Sequence, residues 1–383
     1  MQTNAKTRVI TFCKYTKLLS TFVMFFLLGS GWIFAQRTIN INNENSQLRV
    51  SQTNVQTQIV DSYYGKSEQS RAFDFNPQLK SLTNKNKGDI ILLDFFEEKQ
   101  YRALIKTVTH SYNGTIGITA KIEGSDFGSC YISISGNDIL INTDLSEKNE
   151  YYTATSKAGH GRLSRYKMSE IRKNELECIS LPVPEPVPTA IPSLSQSTQL
   201  GKAPSTTLAV CSNTITNTNT NATIRVLVVY TEKARLYTED TIHSTINNEI
   251  NAAMLIANDV SVNSNLGVNF VLAYSYETDY QEVNKDDDLY NLTNTNDGML
   301  DEVHALRKQY NADLVMLVPS VTFTGGVGWL LNTIDGRPSN GFALSRIQQL
   351  SWTATMVHEM GHNMGCAHHI DQTSSAGDRK SVV

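Results

Sequence analysis

The reading of this chain turns on residues 358–369, HEMGHNMGCAHH, which hold four of its eight histidines. On a helix of about 3.6 residues per turn, His358 and His362 lie one turn apart on the same face, close enough for both imidazoles to grip one ion. Glu359 is rotated by about 100° from His358, beside that ion without having to ligate it, a position that suits a general base. Gly365 follows His362 by three residues, where a left-handed residue stops a helix and reverses the chain. The reversal brings His368 or His369 within reach as a third ligand. Zinc held by three protein side chains keeps a position for water and lowers that water's pKa to about 7. Upstream, Ser351 is placed to cap the helix, and Ile347, Leu350, Ala354, Val357 and Met364 are expected to face the core. A cluster of structural histidines is the competing reading; Gly365 and a third imidazole at fixed offsets weigh against it.

Working back from this string, strand and helix patterns alternate. Ile224–Tyr230, IRVLVVY, is a near-continuous β-branched run of the kind buried on both faces of a sheet. Ile242, Ile246, Ile250, Ala253, Met254 and Ala257 recur at three- and four-residue steps and predict an amphipathic helix. A second strand is expected over Val268–Tyr276, a second helix over Met299–Tyr310 and a third strand over Asp313–Val318. This order implies a layered α/β domain. The acidic run Asp286–Asp288 lacks the alternate ligand spacing of a calcium loop, so a solvated loop is expected there.

Five of the nine prolines fall in 181–192, LPVPEPVPTAIP, and predict a stiff extended linker. A tract rich in Ser, Thr and Asn follows from Ser193 to Thr223, expected to be exposed and open to cleavage. Before the linker, residues 88–143 alternate apolar and polar in short bursts broken by Asn-Gly, Glu-Gly and Gly-Asn, the pattern of antiparallel sheet. Cys130, Cys178, His110 and His160 in this part are not at ligand spacing, which favours structural roles. Lys6, Arg8, Lys14 and Lys17 precede an apolar stretch from Leu18 to Ala35, as in a secretory signal peptide cleaved after Ala35; an uncleaved anchor is the rival reading. The expected division is therefore a signal over 1–35, a β-rich region over 36–180, a linker over 181–222 and the α/β domain over 223–383. The product is expected to be secreted, with no stable membrane association after signal removal.

With 383 residues, 40% hydrophobic and 18% charged, the chain has a globular balance and the length of two domains. Its 33 basic residues are offset by 37 acidic ones, without a basic run interleaved with aromatics, so no nucleic acid is expected as partner. Cys13 lies in the signal, and Cys130, Cys178, Cys211 and Cys366 allow three pairings in an oxidising compartment.

The string His358, Glu359, His362, Gly365, His368 resembles the extended HExxHxxGxxH signature of the metzincin zinc endopeptidases. GHNMG, IRVLVVYTEKAR and RKQYNADLVMLV resemble the reprolysin-type branch. The resemblance implies a catalytic domain with a mixed sheet and an active-site helix, Zn2+ bound by His358, His362 and His368, and Glu359 as the catalytic base. It makes His368 rather than His369 the third ligand. GGVGWL, 325–330, resembles the edge strand that aligns an extended peptide, which would make Val327, Gly328 and Trp329 substrate-binding; a plain hairpin is the alternative. LDFFEEKQYRALIKTV and KIEGSDFGSCYISI are similar to propeptides of secreted members. His369 stands where the branch usually carries Asp, no methionine follows Met364, and 15 residues follow His368. The expectation is that the C-terminal part of the domain is missing.

These readings predict a secreted zinc endopeptidase, made as a zymogen and acting on proteins or peptides. Cys178 would either ligate the zinc as an inhibitory thiolate or pair with Cys130, the pairing being favoured, and Cys366 is a candidate partner for Cys211. The alternatives are a secreted, non-catalytic, zinc-holding binding protein and a zinc peptidase with Asp371 or Asp378 as a ligand.

Overall fold

The computed structural model describes residues 66–75, 77–96, 99–183, 222–331 and 337–368. The expected signal over 1–35 and most of the expected linker lie outside the described residues.

Short apolar–polar alternation between turns builds the first unit as eight strands: β1 (Gln69–Asp74), β2 (Ile90–Phe96), β3 (Lys99–His110), β4 (Ile116–Ile122), β5 (Ser129–Ser135), β6 (Asp138–Leu145), β7 (Glu150–Lys157) and β8 (His160–Lys167). They form one antiparallel sheet in the order β1-β8-β7-β6-β5-β4-β3-β2. One face carries Ile91, Leu93, Phe95, Ile105, Ile118, Ile132 and Ile141 into a core closed by Leu79 and Leu82. The other face presents Tyr131, Ser133, Asn142 and Thr155, and this face meets the second unit. The sheet runs on to Lys167, beyond the stretch expected from alternation alone.

The second unit is a six-stranded mixed sheet, β9 (Cys178–Pro182), β10 (Ala222–Thr231), β11 (Val268–Thr278), β12 (Leu314–Val318), β13 (Gly326–Leu330) and β14 (Phe342–Ser345), in the order β11-β10-β12-β14-β13-β9. β10 runs parallel to β11 and β12, β12 parallel to β14, β13 antiparallel to β14, and β9 parallel to β13. Five helices accompany it: α1 (Glu232–Tyr237), α2 (Ile246–Asn263), α3 (Lys285–Thr293), α4 (Asp301–Gln309) and α5 (Thr355–Asn363). Val226, Val228 and Met316 pack with Ile250, Ala253 and Ala257 of α2 and Met356 and Met360 of α5. Leu227, Val229 and Leu317 point the opposite way, onto Leu289 and Leu292 of α3 and Val303 of α4. Burial on both faces is why the central strands read as unbroken apolar runs.

Two expectations are corrected here. Asp286–Asp288 is not a loop but the first turn of α3, where the Asn284 Oδ1 accepts hydrogen bonds from the amides of Asp286 and Asp287, each at 3.0 Å. Three carboxylates at a helix start complement its positive end, so the run is a capping signal. α2 begins at Ile246 rather than Ile242, because residues 238–242 wind into a π-turn that His243 ends at φ +57°. Ile242 instead packs with Tyr151, Tyr166, Met168 and Ile171 of the first unit.

α2 lies between the two sheets, and its contacts with the first unit are largely polar. The Ser133 hydroxyl donates to Asn248 Oδ1 at 2.8 Å and accepts from Asn251 Nδ2 at 2.9 Å, while Tyr131 donates to Asp259 at 2.7 Å. Asn142 donates to the Ser351 carbonyl at 2.7 Å and Thr155 to that of Ile242 at 2.9 Å. Among these groups Glu249 is fully buried, and burial raises its carboxyl to about 7 against the opposing pull of the Ser351 and Ser244 hydroxyls. A carboxyl raised in the folded state favours folding below its unfolded value, and that contribution is lost as pH rises through about 7. Urea unfolding should therefore show stability falling between about pH 4.3 and pH 7, and Glu249→Gln should flatten that part of the profile.

Candidate metal centre

α5 carries the site, and its ends are fixed by local hydrogen bonding. It is preceded by a short 3₁₀ turn at Ile347–Gln349, and the helix begins at Thr355 with Thr353 Oγ1 accepting from the Thr355 amide at 3.1 Å. Ser351 is therefore not the cap expected from the sequence; it is buried, and its carbonyl serves the first unit. Ile347, Leu350 and Val357 join the core, with Ala354 and Met364 packed on its margin. At the other end, the Cys366 amide donates to the Gly361 carbonyl at 2.9 Å and the Gly365 amide to that of His362 at 3.0 Å, with Gly365 at φ +93°. This double closure is a Schellman motif, which needs a left-handed residue at the position of Gly365.

The turn brings three rings together. The Nε2 atoms of His358, His362 and His368 lie 3.0 to 3.1 Å apart in a triangle. Tetrahedral zinc with Zn–N near 2.0–2.1 Å requires nitrogens about 3.3 Å apart, so the donor set fits that ion. His362 Nδ1 lies 2.7 Å from the Cys366 carbonyl, which can only accept; this bond places the proton on Nδ1 and leaves Nε2 bare for a metal. Burial, followed by the neighbouring imidazoles, pushes His358 down to about 3; burial pushes His362 down to about 4 and lowers His368. Neutral rings are the form that ligates. His369, Asp371 and Asp378, the other candidate ligands, lie outside the described residues, as does Cys211.

Glu359 is fully buried and points at β13. A Cβ on Gly326 would sit 2.6 Å from Glu359 Oε1, and one on Gly328 would sit 2.9 Å from the Glu359 carbonyl. The two glycines thus let α5 press against the strand. The side chains of Val327 and Trp329 face the opposite core, and the Trp329 indole donates to Thr293 Oγ1 at 2.7 Å. Val327, Gly328 and Trp329 therefore offer the groove only their main chain. Asn363 donates to the carbonyls of Trp329 and Phe342, each at 3.0 Å, and the Leu331 amide donates to the His362 carbonyl at 2.9 Å, locking helix to strand.

β9 occupies the edge of β13, with Cys178 opposite Gly326. The donor atoms of Cys178, His358 and Glu359 lie within 4.8 Å of one another. Burial, and then the Glu359 carboxyl, raise the Cys178 thiol, and burial raises Glu359 well above the usual carboxylate range. The expected Cys130–Cys178 disulfide is not formed: Cys130 is a free thiol in the core of the first sheet, while Cys178 belongs to the second. Cys366 is also a free thiol and exposed. His110 and His160 lie on the first sheet, where His160 contacts Asp74 at 2.8 Å.

The sequence reading missed β9, because the prolines starting at Pro182 mask a strand whose last residue is Pro182 itself; proline is tolerated on such an edge. It also missed Arg346 and Gln349, which carry no motif.

Residues 220–382 match the model of metallopeptidase family M12 (Reprolysin_5). This stretch, which holds His358, His362 and His368, is similar to metzincin-like zinc metallopeptidases. The chain is 32% identical over 156 residues to a peptidyl-Asp metalloendopeptidase of Stenotrophomonas maltophilia, covering 40% of this chain and 36% of that protein. A protein of the same name from Xanthomonas campestris is 32% identical over 149 residues, covering 38% and 34% respectively. The chain thus spans about a third of the length of the curated relatives it matches. Among solved structures, metalloproteinase-II from Bacteroides fragilis aligns with a TM-score of 0.47 and 11% identity over 78% of this chain and 86% of that one.

Because the carbonyl beneath Gly328 belongs to a helix that cannot retreat, Gly328→Ala should destabilise the second unit by about 1–3 kcal/mol, read as a lower urea midpoint with an unchanged slope.

Proposed function

We propose that the protein is a secreted zinc endopeptidase made as a zymogen, in which residues 36 to about 180 hold the cleft closed until the chain is cut in the expected linker. The observation that carries this reading is β9: five residues of the chain lie in register along β13, and the first of them presses a thiol against Glu359 and His358. Adding a strand to an exposed sheet edge is how an extended peptide is held, by main-chain hydrogen bonds. β9 therefore stands where a substrate would lie.

His358, His362 and His368 would hold the zinc, which supplies a polarised water and Lewis-acid assistance to amide hydrolysis. Under β9, Glu359 is buried and its carboxyl is raised well above the usual carboxylate range, a shift toward the protonated form that accepts no further proton. Withdrawal of Cys178 admits water and returns the carboxyl toward its ordinary range. Glu359 then accepts the proton of the attacking water and delivers it to the leaving nitrogen, serving both halves of the reaction. The main chain of β13 aligns the peptide across this carboxyl, and Asn363 keeps helix and strand at the required spacing.

Zinc stoichiometry and casein or gelatin hydrolysis after limited proteolysis test the reading. Glu359→Ala should keep its zinc and lose roughly 10²–10⁴-fold in rate; an alanine variant as fast as wild type removes Glu359 as the base. Cys178→Ala in the uncut chain should raise hydrolysis above that of the uncut wild type, whereas equal rates would show that the thiol does not hold the cleft shut.

A further inference from the structure

The chain enters the cleft through a second set of contacts, on the far side of Cys178 from β9, and every one is made to its main chain. Arg346 Nη2 donates to the Asn174 carbonyl at 2.6 Å. Gln349 takes both polar groups of Leu176: its Oε1 accepts from the Leu176 amide at 2.7 Å, and its Nε2 donates to the Leu176 carbonyl at 3.2 Å. The Glu177 carbonyl accepts from the Gly325 amide at 2.9 Å and from Thr324 Oγ1 at 3.2 Å. A side chain at Gly325 would overlap the Leu176 carbonyl, so the groove is shaped for backbone at that point as well.

Gln349 is held rigidly for this task. It is fully buried, its Nε2 also donates to Thr355 Oγ1 at 3.2 Å, and its carbonyl accepts from Thr353 Oγ1 at 2.7 Å. These tethers lie between the end of β14 and the first residue of α5, and both are made to residues of the second unit. Once that segment leaves, a buried carboxamide loses two partners, which is costly unless another peptide supplies them.

We propose that Gln349 is a substrate-positioning residue of the peptidase, a clamp that grips the N–H and C=O of one residue two places from the residue at the reacting centre. The inference rests on the peptidase reading and assigns it a subsite that recognises peptide backbone irrespective of side chain. In an extended strand the N–H and C=O of one residue point to the same side, so one carboxamide meets both, and the Thr355 tether sets which end donates.

The test uses the full chain activated by limited proteolysis and a fluorogenic peptide series in which each amide N–H near the scissile bond is replaced in turn by an ester oxygen. In wild type one such ester, two residues from the reacting position, should raise KM roughly tenfold. Gln349→Ala should raise KM of the all-amide peptide by a similar factor with kcat nearly unchanged, and that ester should cost the variant nothing more. Gln349→Glu, which keeps the acceptor and loses the donor, should remain sensitive to the ester. In the uncut chain, Gln349→Ala should also speed hydrogen exchange at Leu176. An unchanged KM, or an ester penalty equal in wild type and alanine variant, overturns the clamp while leaving the peptidase reading intact. A wild type that cleaves no peptide overturns both.

Discussion

α5 and β13 lie closer than two ordinary elements can, and the metal centre depends on that approach. Gly326 and Gly328 leave room on one side of the strand, and the Glu359 side chain and backbone fill it. Asn363 and the Leu331 amide close the contact from the far end of the helix. Because the strand cannot drift, the carboxyl stays beside the imidazoles, and because the helix cannot drift, any peptide added to the strand edge lies over the carboxyl. Catalytic groups held by packing and supporting hydrogen bonds need no reorganisation when the substrate arrives.

The same edge is where the N-terminal unit reaches across. After β8 the chain passes to β9 in the second sheet, and the segment that crosses is gripped through main-chain atoms from Asn174 to Pro182. A grip of this kind is indifferent to side chains, with Cys178 as the one residue whose side chain enters the metal centre. The broad docking of the first sheet on α2 relies on hydrogen bonds such as those of Ser133, Tyr131 and Asn142, with one apolar cluster around Ile242. Interfaces between units of one chain are commonly polar in this way, unlike the apolar cores inside each unit.

Much of this was legible in the linear chain where one local rule sufficed. The His358–His362 spacing, Gly365 as a left-handed stop and the doubly buried strand at Ile224–Tyr230 each follow from helix pitch, steric freedom or face burial, which act over a few residues. Where two local signals competed, the reading went astray. Asp286–Asp288 reads as a solvated loop in isolation but is capped into a helix by Asn284, and Ile242 fits the α2 repeat although its apolarity serves another cluster. Ser351 reads as a cap, whereas the cap position is Ala354 and the Thr355 amide is met by Thr353 Oγ1.

What the linear chain determined is the ligand set and the reversal that makes it possible, since both are written within eleven residues of one another. What only the tertiary structure decided is everything that depends on residues distant in sequence meeting in space. Cys178 pairs with Gly326 rather than with Cys130, β9 completes a sheet whose other strands begin at Ala222, and Gln349 finds Leu176. No periodicity marks such meetings, because they are set by how two sheets and the helix between them share one volume.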